Sequence, residues 1–325
     1  MKESSIEVSI IIPVYNEEKR IEECIYSLIN QTYTLGDMEW IIVDGCSTDR
    51  TKAIIEKYAK QYPIKLFVNE KRKTPISMNL GIKNSHGKYI IRLDAHASFP
   101  SDYVEKCVHY LNTTDADNVG GYVDTKAEGF VGVAIAKMLS SKFGVGGSSF
   151  RTGDKEGYVD TVPFGAFRRE VFDKVGLFNE NLLRSEDNDM NARIRLAGGK
   201  IFLTHDIVST YYCRDSISGL LKMGLQNGNA LFRTIRFNPK AMSVRHFIPF
   251  VFLLSLVIIP TIGLFVPFFR WAFLIELLCY FALDFFFSFG KKQKKYGIVT
   301  FWLYPLFHVS YGCGSLLGLF GMDLY

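Results

Sequence analysis

The 325-residue chain contains no Cys-x-x-Cys pair: Cys24, Cys46, Cys107, Cys213, Cys279 and Cys313 are scattered, without zinc-ligand spacing. That excludes a zinc ribbon or a dithiol redox motif and leaves isolated thiols suited to a reducing compartment. There is no long basic run interleaved with aromatics, and the formal charge of +5 is modest, so no nucleic-acid partner is expected. No Gly-x-Gly-x-x-Gly follows the first apolar run, which argues against a dehydrogenase. The glycine cluster at Gly144–Ser149 lacks the Lys-Ser/Thr of a P-loop, and its length suggests a mobile lid. The run from Val8 to Val14 is too short, and too soon broken by Pro13, for a signal peptide, so the first domain is expected to stay in the cytosol.

What the chain has instead is apolar surplus, 48% hydrophobic and 14% aromatic residues, concentrated from Phe247 onward. The earlier part alternates. Apolar β-branched runs at Val8–Val14, Trp40–Val43, Ile64–Val68 and Tyr89–Leu93 read as buried strands. Between them lie helical patterns, such as Ile21, Ile25, Leu28 and Ile29, or Ile54, Ile55, Tyr58 and Ala59 after the capping cluster Ser47–Asp49. Strands alternating with helices predict a Rossmann-like, mostly parallel sheet whose strand ends collect on one edge. Glu17, Asp44 and Asp94 each follow or close such a strand. Ligands bind at that edge of open α/β sheets, and three carboxylates gathered there call for a compensating charge. Asp94 and His96, two residues apart on the chain leaving the fourth strand, can reach one divalent cation together.

Farther along, Glu186, Asp187 and Asp189 precede Arg193 and Arg195. Acids at a helix start with arginines one to two turns later match the helix dipole.

Several of these stretches together carry a resemblance: Ile-Ile-Ile-Pro-Val-Tyr-Asn-Glu, Val-Asp-Gly-Cys-Ser-Thr-Asp-Arg-Thr, Asn79-Leu80-Gly81-Ile82 followed by Gly87-Lys88-Tyr89, and the Asp-Ala-His turn. From about Val8 to about Asp206 the chain resembles an inverting family 2 glycosyltransferase of the GT-A fold, similar to the succinoglycan-type, ExoA-like bacterial exopolysaccharide enzymes. The resemblance implies that Pro13, Tyr15, Glu17, Asp44 and Asn79 frame the donor nucleotide, with Asp44 at the uracil edge. It implies Asp94 and His96 as ligands of Mn2+ or Mg2+, Asp187 as catalytic base and Glu186 on the acceptor side. Two positions depart from the family pattern: Gly45 replaces the second acid of the usual Val-Asp-Asp-Gly-Ser, and His96 ends the metal motif in place of Asp. The implied activity is transfer of one sugar from a UDP-sugar, UDP-glucose being the first expectation, to a lipid-linked saccharide in exopolysaccharide or capsule synthesis. Gln226-Asn227-Gly228-Asn229-Ala230 stands where processive relatives carry Gln-x-x-Arg-Trp, so a single transfer is expected. A polyprenyl-phosphate glycosyltransferase is the alternative, followed by a non-catalytic nucleotide-binding scaffold of a polysaccharide assembly complex.

The domain reading is a cytosolic catalytic domain over 1–213, a basic amphipathic interfacial segment over 214–246 and a membrane region over 247–325. Apolar stretches at 247–269, 271–289 and 296–320 are read as three spanning helices, with Glu276 and Asp284 as intramembrane acids. The basic stretch Lys291-Lys292-Gln293-Lys294-Lys295 keeps its loop cytoplasmic. A multi-pass protein of a bacterial inner membrane is expected, its C-terminus on the far side.

Overall fold

A computed structural model describes residues 6–290 and 294–324. The chain divides into two compact units, one running to Asp124 and resuming over Gly153–Tyr211, the other formed by Thr125–Thr152 and Tyr212–Tyr325. Residues 125–152, read from the sequence as part of the catalytic domain, thus group with the C-terminal part.

The first unit is built on β1 (Val8–Val14), α1 (Ile21–Ile29), β2 (Met38–Asp44), α2 (Thr51–Ala59), β3 (Ile64–Val68), α3 (Thr74–Lys83), β4 (Tyr89–Arg92), β5 (Ala97–Ser98), α4 (Tyr103–Thr113) and β6 (Asn118–Lys126). After α5 (Gly129–Leu139), α6 (Lys142–Val145) and α7 (Ser149–Thr152), which belong to the second unit, it continues with β7 (Gly157–Tyr158), β8 (Ala166–Arg168), α8 (Glu170–Val175), α9 (Glu186–Leu196) and β9 (Ile201–Tyr212). The strand order is β3-β2-β1-β4-β8-β6-β9-β5, with β7 paired to β9.

Only half of that order is parallel. β1 pairs in parallel with β2 and β4, and β2 with β3. Pairing is antiparallel for β4 with β8, β8 with β6, and β9 with both β5 and β7. The mostly parallel sheet expected from the sequence is therefore a mixed one. The antiparallel pairings all involve strands after β4, where the regular alternation of strand and helix ends. The parallel half is core: β2 is buried at every position, β1 at every position except Pro13. α1 presents Ile21, Cys24, Ile25 and Leu28 inward, the i, i+3, i+4, i+7 spacing of one helix face. Each such apolar side chain contributes roughly 1.5–3 kcal/mol when buried.

The second unit continues with α10 (Ile217–Phe237), α11 (Ile248–Gly263), α12 (Pro267–Phe289) and α13 (Gly297–Leu319). Among the described residues, α12 alone is both long and apolar enough to cross a membrane. α11 is apolar but has 16 residues. α13 has 23 residues, of which eleven are buried, including Thr300, Tyr304, His308, Ser310 and Ser315. Its glycines and hydroxyls serve packing. The three-span expectation therefore reduces to one span-length helix, and Lys291, Lys292 and Gln293 of the expected cytoplasmic loop lie outside the described residues. The glycine-rich segment expected to be a lid is fastened at its start. The Phe143 ring packs against Tyr280, Phe287, Tyr304 and His308, and the Ser141 and Tyr304 hydroxyls lie 2.7 Å apart.

α10 and α13 approach at glycine. A Cβ on Gly228 would sit 1.9 Å from the Tyr311 carbonyl oxygen, one on Gly314 2.0 Å from that of Leu225, and one on Gly318 2.4 Å from that of Asn229. Small residues spaced by four let helix backbones meet this closely. Gly228→Ala and Gly314→Ala are each expected to destabilise the detergent-solubilised protein by about 1–3 kcal/mol. Gly36→Ala, where a Cβ meets nothing within 4 Å, is the control, and thermal melts that do not separate the three variants would contradict this packing.

Candidate active site

The strand ends organise the site. β1 leads into Tyr15-Asn16-Glu17, where Asn16 takes a left-handed conformation, φ 53°. Short polar side chains tolerate that region because they bond locally, and here the Thr48 amide donates to Asn16 Oδ1 at 2.8 Å. The Glu17 amide donates to Thr51 Oγ1 at 2.8 Å. The loop after β1 is thereby clipped to the loop after β2. Asp44, the last residue of β2, is 2% exposed, and its carboxylate accepts from the Ser47 hydroxyl at 2.6 Å and the Ser47 amide at 3.1 Å. Pro13 pairs with Val43 inside the sheet, while Tyr15 is exposed with the Arg72 guanidinium 5.5 Å from its ring centroid.

Beyond β4 the expected metal pair meets Glu17. His96 Nδ1 lies 3.1 Å from Glu17 Oε1, and His96 Nε2 lies 4.0 Å from Asp94 Oδ2. Two ligands each about 2.1 Å from one ion can stand up to about 4.2 Å apart, and the Asp94–His96 separation lies within that limit. A carboxylate on one imidazole nitrogen fixes the tautomer that leaves the other able to coordinate, which is the place Glu17 takes. Among the described residues no three His, Cys, Asp or Glu side chains form a complete cage. Mg2+-type sites are commonly built from one or two carboxylates plus substrate phosphates, and Asp94 would supply such a carboxylate with the His96 ring beside it.

The residue that joins the two halves is one the sequence reading passed over. Arg92, at the end of β4, is 5% exposed. Its Nε donates to Asp94 Oδ1 at 3.3 Å, and its Nη1 donates to Asp187 Oδ1 and lies 3.0 Å from Glu186 Oε1. Burial works against the Arg92 charge, but Asp187, Asp94 and Glu186 more than offset it and hold the guanidinium protonated. The signal was in the sequence: an arginine inside the apolar run Tyr89-Ile90-Ile91-Arg92-Leu93 must find partners, because charged residues are almost never fully buried unpaired.

Glu186 and Asp187 open α9 behind Ser185, a non-glycine residue at φ 62°. A residue held in the left-handed region costs about 1–3 kcal/mol, and such strain clusters at functional sites. Burial pushes the Asp187 carboxyl up to about 7 against the pull of Arg92, with Glu186 and Asp94 adding to the rise. Asp187 nevertheless keeps 31% side-chain exposure, whereas Glu186 keeps 9%. Glu186 is thus a buried partner of Arg92, not a group open to an acceptor. Asn79, expected beside the nucleotide, is spent elsewhere. It is 4% exposed, its Nδ2 donates to the Phe178 carbonyl and to Glu180 Oε1, and its Oδ1 accepts from the Phe178 amide. It ties α3 to the turn at Phe178–Glu180.

Residues 9–176 match the family described as Glycosyl transferase family 2. The chain belongs to glycosyl transferase family 2. It is therefore a glycosyltransferase, as its named relatives are. The dolichyl N-acetyl-alpha-D-glucosaminyl phosphate 3-beta-D-2,3-diacetamido-2,3-dideoxy-beta-D-glucuronosyltransferase of Methanococcus voltae is 31% identical over 280 residues, 83% of this chain and 86% of that protein. The succinoglycan biosynthesis protein ExoA of Rhizobium meliloti (strain 1021) is 33% identical over 208 residues, 63% of each chain. Among solved structures, mannosyltransferase PcManGT from Pyrobaculum calidifontis, in complex with GDP-Man and Mn2+, superposes with a TM-score of 0.67 at 17% identity over 98% of this chain and 88% of that one. Staphylococcus aureus TarS 1-349 in complex with UDP-GlcNAc gives 0.54 at 16% identity over 98% and 93%. At such identities these structures establish the family's α/β GT-A fold, with its mixed sheet, for this chain.

Proposed function

We propose that this glycosyltransferase moves one sugar, with inversion, from a nucleoside-diphosphate sugar to a lipid-linked saccharide at a membrane, in polysaccharide or glycan assembly. The observation that carries the reading is the Arg92 guanidinium, which holds both Asp94 of the metal pair and Asp187. Donor activation and proton removal are thereby set one side chain apart. Inversion requires a base on the face of the sugar opposite the leaving group. Asp187 takes the proton of the attacking acceptor hydroxyl as its oxygen bonds to the anomeric carbon and the bond to the diphosphate breaks. A divalent cation, when bound at Asp94 and His96, would neutralise charge developing on the departing diphosphate. Glu17 holds the His96 ring, and Asp44, Pro13 and Tyr15 form the wall where the nucleotide base would lie.

The lipid-linked acceptor is supported by the relative in Methanococcus voltae, whose name specifies a dolichyl phosphate-linked sugar as its substrate, and by the exposed apolar surface of α12. UDP-glucose is the first donor to try. Membranes containing the protein, offered a panel of radiolabelled nucleotide sugars with and without Mn2+, are expected to pass label into the lipid extract from one donor. Label that never enters lipid with any donor would sink this reading.

The metal assignment carries its own prediction. His96→Ala is expected to raise the Mn2+ concentration for half-maximal activity by about 10–100-fold, the usual effect of disturbing a metal's ligand shell. Glu17→Gln should give a smaller shift in the same direction, because it loosens the ring without removing it. An unchanged titration in His96→Ala would leave Asp94 as the sole protein ligand.

A further inference from the structure

Arg92 by itself would leave α9 free to turn. It grips Asp187 at one point, and the buried Met190, Ala192 and Ile194 hold the helix without fixing its rotation, since apolar burial is non-directional. The direction comes from Asn191, one turn after Asp187 on α9, where residues four apart stand about 5–6 Å from each other on one face. Asn191 is 1% exposed. Its Oδ1 accepts from Asn118 Nδ2 at 2.7 Å, and its Nδ2 donates to Thr161 Oγ1 at 2.8 Å and to the Val162 carbonyl at 3.3 Å. Asn118, the first residue of β6, is completely buried. The Thr161 hydroxyl in turn donates at 3.3 Å to Oδ1 of Asn188, the residue beside Asp187. Arg193 also ties α9 down, donating to the Val175 carbonyl at 2.6 Å. At 3.6 residues per turn, however, Arg193 stands roughly 120° around the helix from Asp187, against roughly 40° for Asn191.

The segment that Asn191 grips also holds Arg92. Between Thr161 and Gly165, the Gly165 carbonyl accepts from the Arg92 amide at 3.0 Å, and the Phe164 carbonyl accepts from the Tyr103 hydroxyl at 3.3 Å. Phe164 itself is kept at φ 46°, in the left-handed region where strain clusters at functional sites. Glycine leaves room for the amide network: a Cβ on Gly165 would lie 2.5 Å from Asn118 Oδ1. Buried amides paired in this way are a poor source of stability, because apolar groups of the same shape can do nearly as well. What their directional bonds add is a single orientation of the elements they join. Asp187 is thus set from two sides by one frame, through Arg92 at the end of β4 and through Asn191 on residues 161–162.

We propose that Asn191 is a positioning residue for the base: by bridging Asn118 and residues 161–162 it fixes the rotation of α9 that aims the Asp187 carboxylate at the acceptor hydroxyl. This rests on the reading of Asp187 as base given above. Asn191→Leu keeps the bulk of the side chain and removes its bonds. In the full-length protein kcat for sugar transfer is expected to fall about 10²-fold, the scale of a misplacement of about 1 Å, with the Kd for the nucleoside diphosphate within a few-fold of the parent. Made in the Asp187→Asn background, the same substitution is expected to lower the residual rate by less than about threefold, because residues that act as a unit are not additive. Thr161→Val removes one hydroxyl of the bridge. It should lower kcat several-fold, again only while Asp187 is present, and it carries the test if Asn191→Leu does not fold. Unchanged kcat in a folded Asn191→Leu would overturn the proposal. So would an equal loss with and without Asp187, since a merely structural role lowers both rates alike. Retained turnover in Asp187→Asn would refute the base itself and the positioning role with it, whereas the other two adverse results leave the base standing.

Discussion

Replacing Asp187 by asparagine is expected to lower kcat for sugar transfer by about 10³-fold, within the 10²–10⁴ range of general-base catalysis, while leaving donor binding nearly unchanged. The asparagine keeps the shape that Arg92 grips but cannot accept a proton. A Kd for the nucleoside diphosphate within a few-fold of the parent, beside the collapsed kcat, separates loss of the base from loss of the fold. The same carboxyl predicts a pH profile. With its pKa pushed up to about 7, Asp187 loses its basic form as pH falls through neutrality, so kcat should drop about tenfold per pH unit below that point. The acid limb belongs to the base form and must lie on the low-pH side. Retained turnover in Asp187→Asn, or a flat profile from pH 5 to pH 8, would remove Asp187 from the role.

Arg92→Met should be the most damaging change in the site that touches no substrate. It leaves Asp94, Glu186 and Asp187 facing one another without their shared cation. Breaking a buried ion pair by removing one partner costs about 3–5 kcal/mol, because the remaining charge is left uncompensated. The loss is measurable as a lowered midpoint in denaturant, and transfer should fall with it, since Asp94 and Asp187 both lose their placement. Arg92→Lys separates the two effects. It restores charge but not the fork that reaches three carboxylates at once, so stability should recover in part while kcat stays well below the parent. Stability in Arg92→Met equal to that of the parent would mean that the carboxylates are compensated by another group.

Much of the first unit was legible in the sequence because its signals are local. The runs that became β1 to β4 and the face of α1 are patterns of period 2 or 3.6 within a dozen residues. The loops after β1 and β2, and the Asp94–His96 turn, stand at strand ends that can be counted from those runs. Three strands of the antiparallel half were not legible, since β5, β7 and β8 span two or three residues and carry too few positions to show alternation, while the longer β6 and β9 interleave polar residues such as Asp124, Thr125, His205 and Asp206 with their apolar ones. The partners of Asn79 were not legible for a related reason. Its neighbours in sequence say nothing of Phe178 and Glu180, about a hundred residues away.

By itself the sequence determined the family, the α/β alternation and the residue types able to hold a cation and accept a proton, because motifs and periodicities are properties of neighbouring residues. Only the tertiary structure decided which of those residues act on one another. The Arg92–Asp187 contact joins positions 95 residues apart, and packing set by the whole sheet places it. The same holds at the other end of the chain. Hydropathy reads 296–320 as a free span, but only the packed structure shows that Gly314 and Gly318 of α13 admit the backbone of α10.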